Sequence, residues 1–268
     1  MKLLVAGAAE VDAGKTTFTT GLIERTEVRG YKPRAGNGYW YDQDDYRRAT
    51  EEGRLYGTDA ERIAAANDGS VRPEALNPVH RLWLPTPGRG KGVLGRDGRR
   101  FVLDRVTDGG DTYVVNGGVD VPPAAERAFP LDEARRVDSL SELNAVMADR
   151  HAPALESLAE RIAARSGAIV ESYSDIARPL SGFTPDAVAV VEPRRCRVYD
   201  GDRYGKACEV ASGSAHEGRL EERVDNVVGL LDPAASVTLP ALSSEERGDT
   251  GTVAEAYGAA YDAVLDVA

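Results

Sequence analysis

The sequence is poor in lysine, cysteine and aromatic residues, and it lacks any long hydrophobic run. Aromatic residues make up only 6% of the 268 residues, so leucine, valine, isoleucine and alanine have to fill most of the core. No apolar stretch approaches the ~20 residues of a membrane-spanning helix, which excludes such a helix. The apolar start, residues 1–7, is too short for a secretory signal peptide, so we expect a cytoplasmic protein.

Cysteine and histidine are both scarce. Cys196 and Cys208 are the only cysteines, and their spacing is not that of a CxxC motif. The three histidines are scattered along the chain without the spacing of metal ligands. These observations argue against a disulfide framework and against a zinc site.

Positive charge is carried almost entirely by arginine. Only five of the 33 basic residues are lysines, namely Lys2, Lys15, Lys32, Lys91 and Lys206. The formal net charge is −11, which argues against non-specific binding to nucleic acid. An acidic surface with little lysine is typical of a salt-adapted cytoplasm, where screening reduces self-repulsion. A GC-rich genome that favours arginine is the other explanation.

Apolar runs alternate with helical patterns along the chain. The runs with the pattern of buried strands are residues 2–8, 31–35, 80–84, 168–170 and 187–191. The helical patterns are residues 14–29, 46–67, 131–165, 217–231 and 253–267. The alternation predicts an α/β fold with a mostly parallel sheet and helices on both faces, in which ligands bind beyond the carboxyl ends of the strands.

Residues 88–119 have a different pattern. Glycine-containing turns at 96–98 and 108–110 separate short apolar runs, as in β-hairpins. About 30 residues are too few for an independent hydrophobic core. We therefore predict a single domain over residues 1–268, with a small β-rich insertion at about 88–119.

The segment after the first predicted strand fits the Walker A phosphate-binding pattern, with alanine in place of its first glycine. Its residues are Ala9, Glu10, Val11, Asp12, Ala13, Gly14, Lys15, Thr16 and Thr17. In such a loop, small residues let backbone N–H groups surround a phosphate, and the following helix directs its positive end at the same anion. Lys15 would neutralise the β- and γ-phosphates, and the Thr16 hydroxyl would bind Mg²⁺.

The same residues would also fit a tight strand-to-helix turn, in which Gly14 serves only the backbone geometry and Lys15 is solvated. The context favours the phosphate loop, because a predicted strand precedes it and a predicted helix follows it. The sequence therefore predicts a three-layer P-loop NTPase fold that binds Mg²⁺ with ATP or GTP through residues 10–17. The choice between the two bases stays open.

A second motif, Gly30-Tyr31-Lys32-Pro33, follows about 15 residues after the loop. A phosphate loop followed by Gly-Tyr-Lys-Pro resembles dethiobiotin synthetase and the related ATP-dependent synthetases. Further segments resemble that family in the same order, namely Gly57-Thr58-Asp59-Ala60, Asn77-Pro78 before Pro85, and Ala168-Ile169-Val170-Glu171. The resemblance covers roughly residues 1–87 and 165–193, and its motifs are most specific in the first 36 residues.

The resemblance implies a division of roles among these residues. Lys15 and Lys32 would be the catalytic lysines, which approach the γ-phosphate and the group that receives it. Mg²⁺ would be held by Thr16, Asp59 and Glu171, directly or through water. Without the resemblance, Lys32 could be a surface lysine, Asp59 a helix cap and Glu171 an ordinary residue at a strand end.

Besides the insertion at 88–119, which has no counterpart in the family, two segments depart from the family pattern. Ser172-Tyr173-Ser174-Asp175 stands where dethiobiotin synthetase has a small, glycine-rich run beside its substrate. Residues 37–45 are rich in aromatic and acidic side chains. Their aspartates Asp42, Asp44 and Asp45 either contact metal or substrate or form a solvated acidic loop. Both departures concern the substrate, whereas the nucleotide-binding motifs follow the family.

The leading hypothesis is an ATP- or GTP-dependent, synthetase-like enzyme. It would hydrolyse the nucleotide or transfer its phosphoryl group to an unidentified small carboxylate or amine. The alternative is a regulatory or assembly NTPase whose hydrolysis switches a surface that binds a protein partner. A polynucleotide kinase is a third option, against which the acidic charge argues. No membrane partner is expected, and the oligomeric state stays open, with a homodimer as one option.

Overall fold

The computed structural model describes residues 1–7, 14–86, 98–211 and 222–268. Within these ranges the chain forms two units. The first comprises Met1–Pro33, Arg62–Val71 and Ala159–Ala268, and the second comprises Arg34–Glu61 and Arg72–Leu158. Each unit combines helices with a mixed β-sheet, which confirms the predicted α/β class.

The secondary structure is as follows in chain order. The strands are β1 (Lys2–Gly7), β2 (Gly30–Tyr31), β3 (Arg34–Gly38), β4 (Val79–Pro85), β5 (Arg99–Thr107), β6 (Asp111–Asn116), β7 (Arg135–Val137), β8 (Ala168–Glu171), β9 (Ala187–Glu192), β10 (Arg195–Asp200) and β11 (Ala235–Thr238). The helices are α1 (Lys15–Thr26), α2 (Gln43–Glu52), α3 (Thr58–Ala66), α4 (Pro73–Leu76), α5 (Pro123–Ala128), α6 (Leu140–Val146), α7 (Ala152–Ala163), α8 (Gly201–Ala211), α9 (Val224–Val228), α10 (Thr250–Ala256) and α11 (Gly258–Val267). Short 3-10 turns are at Leu131–Glu133 and Glu246–Gly248, and a π-helical stretch, Met147–His151, joins α6 to α7.

The first unit is built on a sheet with the strand order β11-β10-β9-β1-β8-β2. Its centre is parallel, because β1 pairs with β8 and β9, and β2 pairs with β8. Strands β10 and β11 run antiparallel at one edge. Residues 3–6 of β1 are apolar and fully buried, as expected of a central parallel strand that is covered on both faces.

The register of the first sheet aligns the carboxyl ends of two strands. Val5 in β1 lies opposite Glu171 in β8. Gly7 is the last residue of β1, and Glu171 is the last residue of β8. Both residues therefore lie at the carboxyl edge of the sheet, where α/β folds bind their ligands.

Helix α1 lies in the interior of the first unit. Its residues 15–23 are all buried, and the Phe18 ring contacts those of Tyr257 and Tyr261. The Tyr261 hydroxyl donates a 3.0 Å hydrogen bond to the carbonyl oxygen of Phe18. A Cβ at Gly21 would collide with this hydroxyl, so glycine is required for the close approach of α11 to α1.

The second unit is built on a sheet with the strand order β3-β4-β5-β6-β7. Strands β4, β5 and β6 are antiparallel, whereas β3 and β7 run parallel to their neighbours. The adjacent residues Val114 and Val115 belong to different apolar clusters, because side chains alternate between the faces of a strand. The sheet is therefore covered on both faces.

The predicted β-rich segment contributes to this second sheet. Its described residues supply β5 and β6, which pair as a hairpin around Gly109, with a φ of 71°. Residues 87–97 lie outside the described ranges. The hairpin is confirmed, while the single domain over residues 1–268 stays a prediction.

Four sequence predictions are wrong in detail. The helical pattern over residues 131–165 contains the strand β7, and the helical pattern over residues 253–267 is divided between α10 and α11. The helical pattern over residues 46–67 forms two helices, α2 and α3, because Gly53 has a φ of 66° and ends α2. The strand predicted over residues 31–35 is divided between β2 and β3, which belong to different sheets. Pro33 separates the two strands, since proline has no N–H to donate to a sheet.

None of the helices in the described ranges is long and apolar enough to cross a membrane.

A buried ion cluster lies in the second unit. Asp104 accepts two 2.6 Å hydrogen bonds from the guanidinium group of Arg81, and its Oδ2 lies 2.8 Å from Nε2 of His151. Burial by itself would raise the pKa of Asp104, but Arg81 and His151 outweigh burial and lower this pKa to about 2. The fold therefore stabilises the ionised carboxylate.

Because of this ion cluster, we expect the free energy of unfolding to fall at low pH. Because the pKa of Asp104 is below its ordinary value of 3.8, the carboxylate stabilises the fold above about pH 4 and loses this effect as the pH falls through about 2. The shift corresponds to about 2 kcal/mol. We expect Asp104→Asn to lower the free energy of unfolding at neutral pH. Urea titrations should show that the difference from the wild type shrinks by this amount towards pH ~2; a difference that does not change with pH would contradict the assignment.

Candidate functional site

Gly14, the first described residue after β1, lies directly before helix α1. Gly14 has a φ of 81°, in the left-handed region that glycine adopts without strain, and it precedes the first residue of α1, Lys15. Of the predicted loop, Ala9, Glu10, Val11, Asp12 and Ala13 lie outside the described residues. The predicted strand before the loop and the predicted helix after it are confirmed.

Lys15 lies over the end of β1. A Cβ at Gly7 would be 2.9 Å from Cδ of Lys15 and 3.0 Å from its Nζ, so the lysine side chain runs back along the strand end. The Lys15 side chain is buried. The alternative interpretation, a purely structural turn, predicted a solvated lysine. Glycine at position 7 leaves the space that this arrangement needs.

Glu171 contacts two other predicted site residues, Thr16 and Lys32, at the carboxyl edge of the first sheet. Its Oε1 accepts a 2.7 Å hydrogen bond from the Thr16 hydroxyl and a 2.5 Å hydrogen bond from Nζ of Lys32. Thr16 and Lys32 are 155 and 139 residues away from Glu171 in sequence. The structure thus brings together a hydroxyl, an ammonium group and a carboxylate that the sequence predicted for one site.

The two carboxylate oxygens of Glu171 differ in their hydrogen bonding. The residue is 0% exposed, and its Oε2 has no hydrogen-bond partner within the described part of the chain. A buried carboxylate oxygen without a partner costs free energy, so such atoms usually face a ligand or a bound water. Together with the Thr16 hydroxyl, this oxygen is a hard donor of the kind that Mg²⁺ prefers.

Lys32 forms a buried ion pair with Glu171 and is not a surface lysine. Its side chain is buried directly after β2, where Tyr31 pairs with Val170 of β8. Because Tyr31 pairs with Val170, the next residues in the chain, Lys32 and Glu171, lie side by side. The alternative of a solvated lysine at a strand end is therefore wrong.

Arg62 is a neighbour of the site that the sequence patterns did not indicate. Its guanidinium group donates a 3.3 Å hydrogen bond to the Thr17 hydroxyl and a 2.7 Å hydrogen bond to the carbonyl oxygen of Arg247. Arg62 thus adds a positive charge beside the first turn of α1. No motif surrounds it in the sequence, so only the fold could reveal this contact.

Asp59 belongs to the second unit, where it lies in the first turn of α3. An acidic residue in the first turn of a helix interacts favourably with the helix dipole. No group of three or more histidine, cysteine, aspartate or glutamate residues with the arrangement of a metal site is present in the described ranges. The assignment of Asp59 to Mg²⁺ stays a prediction.

The aspartates of residues 37–45 form contacts within the second unit. Asp45 accepts hydrogen bonds from Asn37 Nδ2 at 2.5 Å and from the backbone N–H of Thr58 at 2.9 Å, so it caps the start of α3. Asp42 Oδ2 accepts a 2.5 Å hydrogen bond from the backbone N–H of Gly38. Asp44 is exposed. Asp42 and Asp45 therefore stabilise the local backbone through hydrogen bonds to its N–H groups.

Comparison of the chain with protein-family models, with curated proteins and with solved structures found no match. The chemistry of the site has to be inferred from its own geometry.

Proposed function

We propose that this chain binds a magnesium–nucleoside triphosphate in a P-loop at the carboxyl end of β1, within a three-layer P-loop NTPase fold like that of dethiobiotin synthetase. The observation that carries the proposal is the 2.7 Å hydrogen bond between Thr16 and Glu171, beside a lysine that lies over the strand end. These are the hydroxyl, carboxylate and ammonium groups that binding of Mg²⁺ and phosphate requires.

Each residue has a distinct part in this proposal. The positive N-terminus of α1 and the ammonium group of Lys15 attract the β- and γ-phosphates. Thr16 and Oε2 of Glu171, which has no hydrogen-bond partner among the described residues, provide oxygen atoms for Mg²⁺. The bound ion would neutralise charge on the phosphate oxygens. Asp59 is proposed as a further ligand on the basis of the family resemblance alone.

Lys32 supplies a second positive charge close to the proposed metal position. Its Nζ lies 2.5 Å from Glu171 Oε1, so the ammonium group is held at the same carboxylate. A preorganised cation stabilises the negative charge that develops during phosphoryl transfer. We therefore propose an enzyme that hydrolyses ATP or GTP, or transfers the terminal phosphoryl group to a small carboxylate or amine. The identity of this substrate stays open.

Calorimetric titration in molar KCl tests nucleotide binding. ATP or GTP should release binding heat in the presence of Mg²⁺, and the affinity should fall when EDTA removes the metal. The corresponding nucleoside, which has no phosphate, serves as the control and should give no heat. Absence of heat from both triphosphates would refute the proposal.

Gly7→Ala should weaken triphosphate binding without unfolding the chain. The added methyl group would displace the flexible Lys15 side chain rather than the backbone, since the closest atoms are lysine Cδ and Nζ. Loss of one hydrogen bond to a charged group corresponds to at least about a 10-fold lower affinity. Gly258→Ala is the matched control, because a Cβ there would contact nothing within 4 Å. Equal affinities of both variants for the triphosphate would contradict the position of Lys15.

A further inference from the structure

Two adjacent aromatic side chains project from the second unit. Trp40 is 66% exposed and Tyr41 is 81% exposed. The other large apolar side chains exposed in the described ranges, Met1, Leu140, Val210 and Leu230, are isolated along the chain. Exposed aromatic residues next to each other are unusual on a soluble surface and often mark a binding site.

The turn that carries these rings is fixed by hydrogen bonds. Asp42 Oδ2 accepts from the Gly38 N–H at 2.5 Å, and the Asp42 N–H donates to the Gly38 carbonyl oxygen at 2.9 Å. The Tyr39 N–H donates a 2.6 Å hydrogen bond to the carbonyl oxygen of Trp83, and the Tyr39 ring packs edge-on against Tyr46. The two exposed rings are thus presented by a preformed turn, which lowers the entropic cost of binding.

The acidic charge around the turn indicates that the partner carries positive charge. Asp44 is exposed and lies three residues after Tyr41 in the chain. Asp42 and Asp45 both hold contacts within the unit, since Asp42 accepts the Gly38 N–H and Asp45 caps α3 and pairs with Arg48. The whole chain carries a formal charge of −11. A phosphate backbone or an anionic lipid surface would be repelled, whereas a cationic side chain would be attracted.

We propose that the turn formed by residues 38–42 is a docking surface for an arginine-bearing segment of a protein partner. A guanidinium group can stack on the Trp40 or Tyr41 ring and at the same time form an ion pair with a neighbouring carboxylate. Arginine and aromatic residues together dominate the binding energy of many protein interfaces. The proposal is independent of the nucleotide site, and it would give the regulatory alternative a surface for its partner.

The tryptophan content of the chain makes this proposal directly measurable. Trp40 and Trp83 are the only tryptophans, and Trp83 is 3% exposed. The long-wavelength fluorescence of the full chain therefore comes mainly from Trp40. A short arginine-rich peptide should change this emission saturably, and a glutamate-rich peptide of the same length should leave it unchanged.

Variants of the full chain then locate the surface. With a fluorescently labelled arginine-rich peptide, anisotropy should show at least about 10-fold weaker binding to Trp40→Ala, because central aromatic residues carry much of the binding energy. Trp40→Phe keeps a ring and should retain most of the affinity. Leu140→Ala is the matched control, since Leu140 is 55% exposed in the same unit and should not contribute. Asp44→Asn should weaken binding several-fold in low salt and less in molar KCl.

Several results would overturn the proposal. Equal binding of the glutamate-rich peptide, or equal loss of affinity in Leu140→Ala, would show that the turn has no specific role. A Trp40 response to a single-stranded oligonucleotide or to anionic vesicles, without a response to the arginine-rich peptide, would assign the surface to another partner. A change of Trp40 emission on dilution of the protein alone would assign it to a second copy of this chain.

Discussion

Lys15→Ala should lower the affinity for a magnesium–nucleoside triphosphate by about 100-fold while leaving the fold intact. A hydrogen bond to a charged group contributes roughly 1.5–3 kcal/mol, and about 1.4 kcal/mol corresponds to a factor of ten. The side chain runs along the strand end over Gly7, so its truncation removes no part of the apolar core. Titration calorimetry measures the affinity, and thermal unfolding without nucleotide measures the stability.

Lys206→Ala is the matched control for this result. Lys206 is an exposed lysine on α8 of the same unit, so its removal changes the net charge by the same amount without touching the site. The control variant should bind the triphosphate like the wild type. If both variants lost affinity equally, the effect would come from the overall charge and not from the phosphate loop.

Lys32→Met should lower the free energy of unfolding by about 3–5 kcal/mol. Glu171 is completely buried, and without Lys32 its carboxylate would keep only the Thr16 hydroxyl among its described hydrogen-bond partners. A buried charge that loses its partner is strongly destabilising, because burial removes it from water without compensation. Denaturant titrations without nucleotide measure this loss.

Two further variants distinguish the loss of the Lys32–Glu171 ion pair from the general effect of a substitution on stability. Arg25→Met breaks an exposed pair with Asp262 and should cost no more than about 1 kcal/mol. The double variant Lys32→Met/Glu171→Leu removes both charges and should recover much of the stability that Lys32→Met loses. If the losses from Lys32→Met and Glu171→Leu were simply additive, the two residues would not form the pair that the structure contains.

The burial of Lys32 also bears on its proposed catalytic role. We expect that Lys32 variants which remain folded will bind the triphosphate but turn it over more slowly, since Lys15 rather than Lys32 lies over the strand end. Turnover therefore has to be compared in protein whose folded fraction has been measured. An equal loss of nucleotide affinity in Lys15 and Lys32 variants would contradict the separate roles.

The parts of the site that could be predicted from sequence are those fixed by local patterns. The apolar run before Gly7 predicted β1, and Gly14 followed by a helical pattern predicted the start of α1. The local pattern also placed Glu171 at the end of a short apolar strand, whereas its role in the site was implied by the family resemblance. Each of these features depends on residues close together in the chain, so the sequence pattern carries it directly.

The contacts between distant segments could not be predicted in the same way. The burial of Lys32 depends on the pairing of β2 with β8, which are more than 130 residues apart. Arg62 has no motif around it, and it reaches Thr17 only because of the way the chain folds back. The break between α2 and α3 requires the positive φ of Gly53, which the helical periodicity of residues 46–67 concealed.

A crystal structure of the protein with a non-hydrolysable triphosphate and Mg²⁺ tests the central claim most directly. We expect the polyphosphate at the carboxyl end of β1, with its terminal phosphate in contact with Lys15 Nζ and the metal between Thr16 Oγ1 and Glu171 Oε2. A triphosphate bound elsewhere on the chain, with Lys15 and Glu171 not in contact with it or its metal, would contradict the account.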